Sequence, residues 1–185
     1  MNTSAQPASA YFLDMTKKTV ETHTLAVIVD NEPGVLARVI GLFSGRGYNI
    51  DSLTVSETEH QKHTSRITVV TTGTPKVITQ IIHQLDRMVP VHSVADLTVQ
   101  GNAIARELAL VKVAGTGDAR REALQLAEAF RARIVDTSSE SFVFEITGKS
   151  EKIEQFIALM VPLGLIEVAR TGVAGITRGP EGMRV

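Results

Sequence analysis

Two stretches of the chain, each about 70 residues long, repeat one order of hydrophobic periods: strand, helix, strand, strand, helix, strand. That order constrains the fold more than any other feature. Alternate residues share one face of a strand, whereas residues three and four apart share one face of a helix. In the first stretch the apolar run over 25–29 reads as the buried part of a strand over 24–30. Val35, Leu36, Val39, Ile40 and Phe43 then define the inward face of a helix over 33–46, whose end is flanked by Gly45 and Gly47. A strand over 50–57, a polar hairpin over 59–63 and a strand over 65–71 follow. Gly73-Thr74-Pro75 opens a second helix with Val77, Ile78, Ile81, Ile82 and Leu85 inward, and a strand over 91–98 closes the unit.

The second stretch opens with a strand over 108–114 and the turn Gly115-Thr116-Gly117-Asp118, where Asp118 is expected as N-cap. A helix over 119–130 turns Leu124, Ala127 and Phe130 inward. Strands over 134–137 and 142–147 pair across Ser138-Ser139-Glu140. A second helix carries Ile153, Phe156, Ile157 and Met160 on one face, and a strand over 165–170 ends the unit.

The expected fold class is α+β, with two tandem ferredoxin-like βαββαβ units, each an antiparallel sheet with both helices on one face. The division read from the chain is a flexible tail over 1–22, a first unit over 23–99, a linker over 100–104, a second unit over 105–172 and a C-terminal tail over 173–185. Each unit is small for independent stability, so the open sheet face and the sheet edges need cover. Edge pairing in a homodimer supplies it, and packing of the two units together supplies part of it.

Function is read first at the junction Asp30-Asn31-Glu32-Pro33-Gly34-Val35-Leu36. Pro33 suits the first helical position, which puts Asn31 or Glu32 at or beside the N-cap. Gly34 leaves main-chain N–H groups bare at the positive end of the helix dipole, a seat for an anion such as a free carboxylate. The alternative is an ordinary, well-capped turn. Asn49, at the far end of the same helix, can both donate and accept, which suits the ammonium side of a zwitterion. It reads equally as a turn former. Within one chain the two places are held apart by the helix, whereas across a two-fold sheet edge they meet.

Several classes are excluded. The 185 residues carry a net charge of −1, no footprint for nucleic acid, and contain no Cys for disulfides, thiolate catalysis or Cys-ligated zinc. No apolar run approaches the roughly 18 residues of a membrane span, and a cytoplasmic location is expected. Gly115-Thr116-Gly117 fails as a dinucleotide fingerprint because position 120 is Arg. His60 and His63 read as a solvated loop rather than a metal site. Arg170-Thr171-Gly172 and Arg178-Gly179 look underused by the fold, so they either dock a partner or form a mobile cationic tail.

The blocks 30–39, 41–44 and 46–55, together with 107–113, 134–136, 167–172 and 178–179, resemble the regulatory small-subunit family of acetohydroxyacid synthase, also called acetolactate synthase. The N-terminal unit of that family is an ACT domain. The resemblance implies a chain without a catalytic site or cofactor of its own, partnered with a catalytic large subunit that carries thiamine diphosphate, Mg²⁺ and FAD. That enzyme condenses pyruvate with pyruvate or 2-oxobutyrate in branched-chain amino acid biosynthesis. The small subunit activates it and confers feedback inhibition, usually by valine, bound at the ACT homodimer interface. Asn31 and Gly34, with Pro33, Val35 and Leu36, are then expected to hold the effector's polar end, and Asn49 and Ile50 of the second copy to close over it. A free-standing ACT-type amino-acid sensor without an enzyme partner is the alternative.

Overall fold

The computed structural model describes residues 19–59, 63–99, 101 and 103–183. The first unit runs β1 (Glu21–Asp30), α1 (Val35–Gly45), β2 (Ser52–Glu59), β3 (Thr64–Gly73), α2 (Pro75–Asp86) and β4 (Val91–Asp96). The second runs β5 (Ala103–Ala114), α3 (Gly117–Ala129), β6 (Arg133–Thr137), β7 (Ser141–Gly148), α4 (Ser150–Met160), a 3₁₀ turn at Val161–Leu163, β8 (Leu165–Arg170) and β9 (Ala174–Thr177). Strand orders are β2-β3-β1-β4 and β6-β7-β5-β8, with every pairing antiparallel. The expected α+β class, two tandem ferredoxin-like units, is therefore what the chain adopts.

Each unit has its own core. Leu25, Val27, Val29, Ile67 and Val69 of one sheet face pack under Val35, Val39 and Phe43 of α1 and Ile78, Ile81 and Leu85 of α2. In the second unit, Ala109, Val111, Val113, Phe142, Phe144 and Ile146 pack under Ala123, Ala127, Ile153, Phe156 and Met160. In this core the Phe142 and Phe144 rings stack at 5.5 Å, Phe144 meets Phe156 edge-on at 6.0 Å, and Phe130 lies tilted against Phe156 at 5.4 Å.

The joint between the units departs from the sequence reading. β5 begins at Ala103, inside the stretch read as a linker, and Ala174–Thr177, inside the stretch read as a tail, is a strand. β9 pairs with the first four residues of β5, from Ala103↔Thr177 to Arg106↔Ala174. The chain around its start, residues 171–175, lies as a strap across the face of the first sheet opposite the helices. Ser52 Oγ accepts from the Val173 N–H at 3.0 Å, Thr54 Oγ1 donates to Thr171 O at 3.2 Å, and Arg66 donates through one terminal nitrogen to Gly175 O at 2.7 Å. A Cβ on Gly175 would stand 2.7 Å from Leu97 Cδ1, so a larger residue here would have to displace the Leu97 side chain. The strap explains why β1 is apolar on both faces, since Ala26 and Ile28, on the side away from the helices, are buried like Leu25 and Val27.

Arg170-Thr171-Gly172 is accordingly consumed by the fold rather than left for a partner. Smaller differences have local causes. Leu36 is 37% exposed although its spacing puts it on the buried face. Thr116 rather than Asp118 occupies the N-cap position of α3, without a side-chain capping bond, and Asp118 lies in the first turn. β1 starts at Glu21, two residues into the expected tail. Residues 1–18, His60, Gln61 and Lys62 of the hairpin, and Gln100 and Asn102 of the linker lie outside the described residues.

Candidate functional site

The strand-to-helix junction is a turn rather than the first turn of the helix. The Val35 N–H donates to Glu32 O at 3.3 Å, with Pro33 and Gly34 between them and Gly34 at φ 87°, ψ −9°. Pro second and Gly third, with positive φ at the glycine, are the residues of a type II turn. Pro33 therefore precedes the helix, and Gly34, not Asn31 or Glu32, is the N-cap residue. The left-handed conformation at Gly34 redirects the chain into α1, and a side chain there is strained although nothing lies within 4 Å of its Cβ position. Two main-chain bonds tie the junction down: Asp30 N–H to Pro90 O at 2.9 Å and Asn31 N–H to His63 O at 2.7 Å. His92 Nε2 and Asp30 Oδ1 share a further hydrogen bond of 2.7 Å.

At the start of α1 there is no side-chain cap and no acidic residue in the first turn. The N–H groups of Leu36 and Ala37 find no acceptor among the described residues. Asn31, Pro33, Gly34 and Leu36 are exposed, while Val35 is buried and anchors the turn to the core. The result is an open shelf with donors and positive helix-end potential on one side and apolar surface on the other.

Asn49 and Ile50 stand at the other end of α1. The Tyr48 N–H closes the helix on Phe43 O at 2.9 Å. Ile50 packs partly buried against the first core, and Asn49 is exposed. Thr71 Oγ1 donates to Asn49 O at 2.6 Å, and the Asp51 N–H to Val70 O at 2.8 Å, so the backbone here is fixed. The Asn49 side-chain amide donates to Asp51 Oδ1. Thr72 Oγ1 donates to Asp51 Oδ2 at 2.6 Å and is itself 2.9 Å from Thr22 Oγ1. The eleven residues of α1 span about 16 Å. One chain therefore brings Asn31, Pro33, Gly34, Val35 and Leu36 together but does not bring Asn49 and Ile50 to them.

Two further features have no signal in the sequence, since their partners are far apart in the chain. Glu107, 4% exposed, accepts from Arg170 Nε and from a terminal Arg170 nitrogen, both at 2.7 Å, and from Ser150 Oγ at 3.0 Å. The hydrogen bonds from Arg170 hold the Glu107 carboxyl below the usual glutamate range, against burial, which pushes it up. Glu107 in turn raises Arg170. An open cleft of about 990 Å³ between the units is lined by Asp51, Ser52 and Thr72 on one side and Arg106, Lys149 and Arg178 on the other. It includes none of residues 31–36, 49 or 50, so it is distinct from the shelf. Among the described residues no group of three or more His, Asp and Glu is placed to hold a metal ion, and no helix is long and apolar enough to cross a membrane.

Comparison with known proteins follows this division. Residues 25–93 match the AHAS small subunit-like ACT domain, and residues 106–179 match the family described as the small subunit of acetolactate synthase. The chain is 46% identical over 157 residues to a probable acetolactate synthase small subunit of Archaeoglobus fulgidus, covering 85% of this chain and 97% of that one. It is 43% identical over 162 residues to the acetolactate synthase small subunit of Mycolicibacterium smegmatis, covering 88% and 94%. Among solved structures, the acetolactate synthase small subunit of Thermotoga maritima superposes with a TM-score of 0.78 at 38% identity, covering 87% of this chain and 99% of that one.

Proposed function

The chain belongs to the acetolactate synthase small-subunit family, and from that premise we propose that it is a regulatory subunit whose ACT dimer binds valine and transmits feedback inhibition to a catalytic large subunit. The observation that carries the reading is the bare start of α1: main-chain donors without a side-chain cap, beside an exposed Leu36. The effector's carboxylate lies on the N–H groups following Gly34, and its branched side chain against Leu36. Asn31 and Pro33 border the shelf, Val35 fixes it to the core, and Asn49 and Ile50 of a second copy close it. The catalytic subunit supplies thiamine diphosphate, Mg²⁺ and FAD, and this chain raises that subunit's activity.

Inhibition requires that valine bind one arrangement of the complex better than another. An effector held between two protomers has that property, because its affinity depends on their relative placement. The test is calorimetric titration of the purified chain with valine, leucine and isoleucine, alongside turnover of the reconstituted holoenzyme. Saturable valine binding that is lost in Gly34→Asp, with activation of the large subunit retained, is the expected result. Valine binding unchanged by a carboxylate at Gly34 contradicts the seat. Inhibition of the holoenzyme with no binding to this chain would leave a different subunit as the sensor.

A further inference from the structure

The hydrogen bonds around Asp51 fix the orientation of the Asn49 side-chain amide. A side-chain amide has one acceptor oxygen and one donor nitrogen, and rotation by half a turn exchanges them. Beside a carboxylate oxygen that accepts, the NH₂ group must turn inward. The Asn49 amide does donate to Asp51 Oδ1. Asp51 cannot swing away easily, because its second oxygen is held by Thr72 Oγ1 at 2.6 Å, and Thr72 is backed by Thr22 at 2.9 Å. The Asn49 backbone is pinned by Thr71. What remains to be presented outward is Oδ1, an acceptor.

We propose that Asp51 is a positioning residue that makes the effector site selective for 2-amino acids over 2-oxo acids of the same carbon skeleton. This inference rests on the reading above, in which Asn49 of one protomer closes over a ligand seated at Gly34 of the other. An α-ammonium donates to the outward Oδ1. A 2-oxo group is itself an acceptor, and two acceptor oxygens face to face repel without any hydrogen bond. Without Asp51 the amide is free to turn its NH₂ outward and donate to the 2-oxo group, so the distinction fades. The selection has a purpose, since the proposed large subunit consumes 2-oxo acids. A regulatory seat that took them up would report substrate as though it were end product.

The experiment is calorimetry on the full chain with valine and with 3-methyl-2-oxobutanoate, for wild type, Asn49→Ala, Asp51→Ala and Asp51→Asn. Wild type is expected to prefer valine by about tenfold or more. Asp51→Ala should lose most of that preference, partly by weaker valine binding and partly by stronger binding of the 2-oxo acid. Asp51→Asn keeps a carbonyl oxygen for the Asn49 amide and is expected to restore the preference. If Asp51→Asn fails as badly as Asp51→Ala, Asp51 acts by its own charge on the ammonium and the orienting role is overturned. Tighter valine binding in Asp51→Ala overturns it too, since Asp51 would then be competing for Asn49. Failure of the underlying reading looks different: valine binding would be indifferent to Asn49→Ala.

Discussion

At single residues, the groups that decide behaviour are those with few alternatives. Gly34 occupies φ 87° with open space around its Cβ position, so replacement by Ala costs only the left-handed conformation, about 1–2 kcal/mol. Chemical denaturation of Gly34→Ala should show that loss and no more. Asn49→Ala, by contrast, removes an exposed amide and should leave stability nearly unchanged while weakening valine by about 1.5–3 kcal/mol in calorimetry, the range for a hydrogen bond to a charged group. Glu107 carries a pH dependence. Its folded carboxyl titrates below the unfolded value of about 4.3. Its stabilisation is therefore complete above that pH and is lost as pH falls through the folded value, while Arg170, raised further, stays charged throughout. Denaturation midpoints taken from about pH 6 to about pH 3 should fall more steeply for wild type than for Glu107→Gln. Equal slopes would mean that the pair contributes nothing. A single sequence carries no signal for this pair, because Glu107 and Arg170 are ordinary charged residues until the fold brings β5 and β8 together.

Elements are legible in the sequence wherever one face is buried and the other solvated. α2, α4, β3 and β7 fall within a few residues of the positions that hydrophobic spacing predicts. Spacing misplaces the start of α1 because Pro33 satisfies two patterns, first helical residue and second residue of a type II turn, and only the conformation of Gly34 decides between them. β9 escapes for another reason. The glycines in and before it signal a loop when read locally, yet Gly172 and Gly175 are where the strap approaches the first sheet, and that demand comes from residues far back in the chain. Gly172 at φ 80° would place a Cβ 2.7 Å from Ser52 Oγ and 2.8 Å from Thr54 Oγ1. Gly172→Ala is therefore destabilised twice, by the backbone and by displaced hydroxyls. Gly47→Ala, at φ 67° with nothing within 4 Å, isolates the backbone part at about 1–2 kcal/mol. Gly172→Ala should lose about 1–3 kcal/mol more than Gly47→Ala in urea denaturation, with faster amide exchange at Val173. Equal losses would show that the strap does not hold the two units together.

For the whole molecule, the repeated βαββαβ order is readable and the joint between its copies is not. Sequence indicates that the sheets need cover, and the strap meets this need on one face of the first sheet. β2 remains an outer strand of that sheet, at the edge where Asn49 and Ile50 stand. The two halves of the proposed effector site lie about 16 Å apart along α1 in one chain, so a two-fold pairing must complete it. An isologous dimer then holds two equivalent sites, each with a seat from one protomer and a closing Asn49 from the other. That arrangement is tested most directly by complementation between two defective chains. Gly34→Asp spoils the seat and Asn49→Ala the closure, yet a mixed dimer contains one site in which both parts are wild type. Refolding the two variants together at equal concentration should restore wild-type valine affinity in about a quarter of all sites, the fraction random pairing of protomers allows. A mixture that binds no better than the sum of its parents would place the site within a single chain and contradict the shared seat.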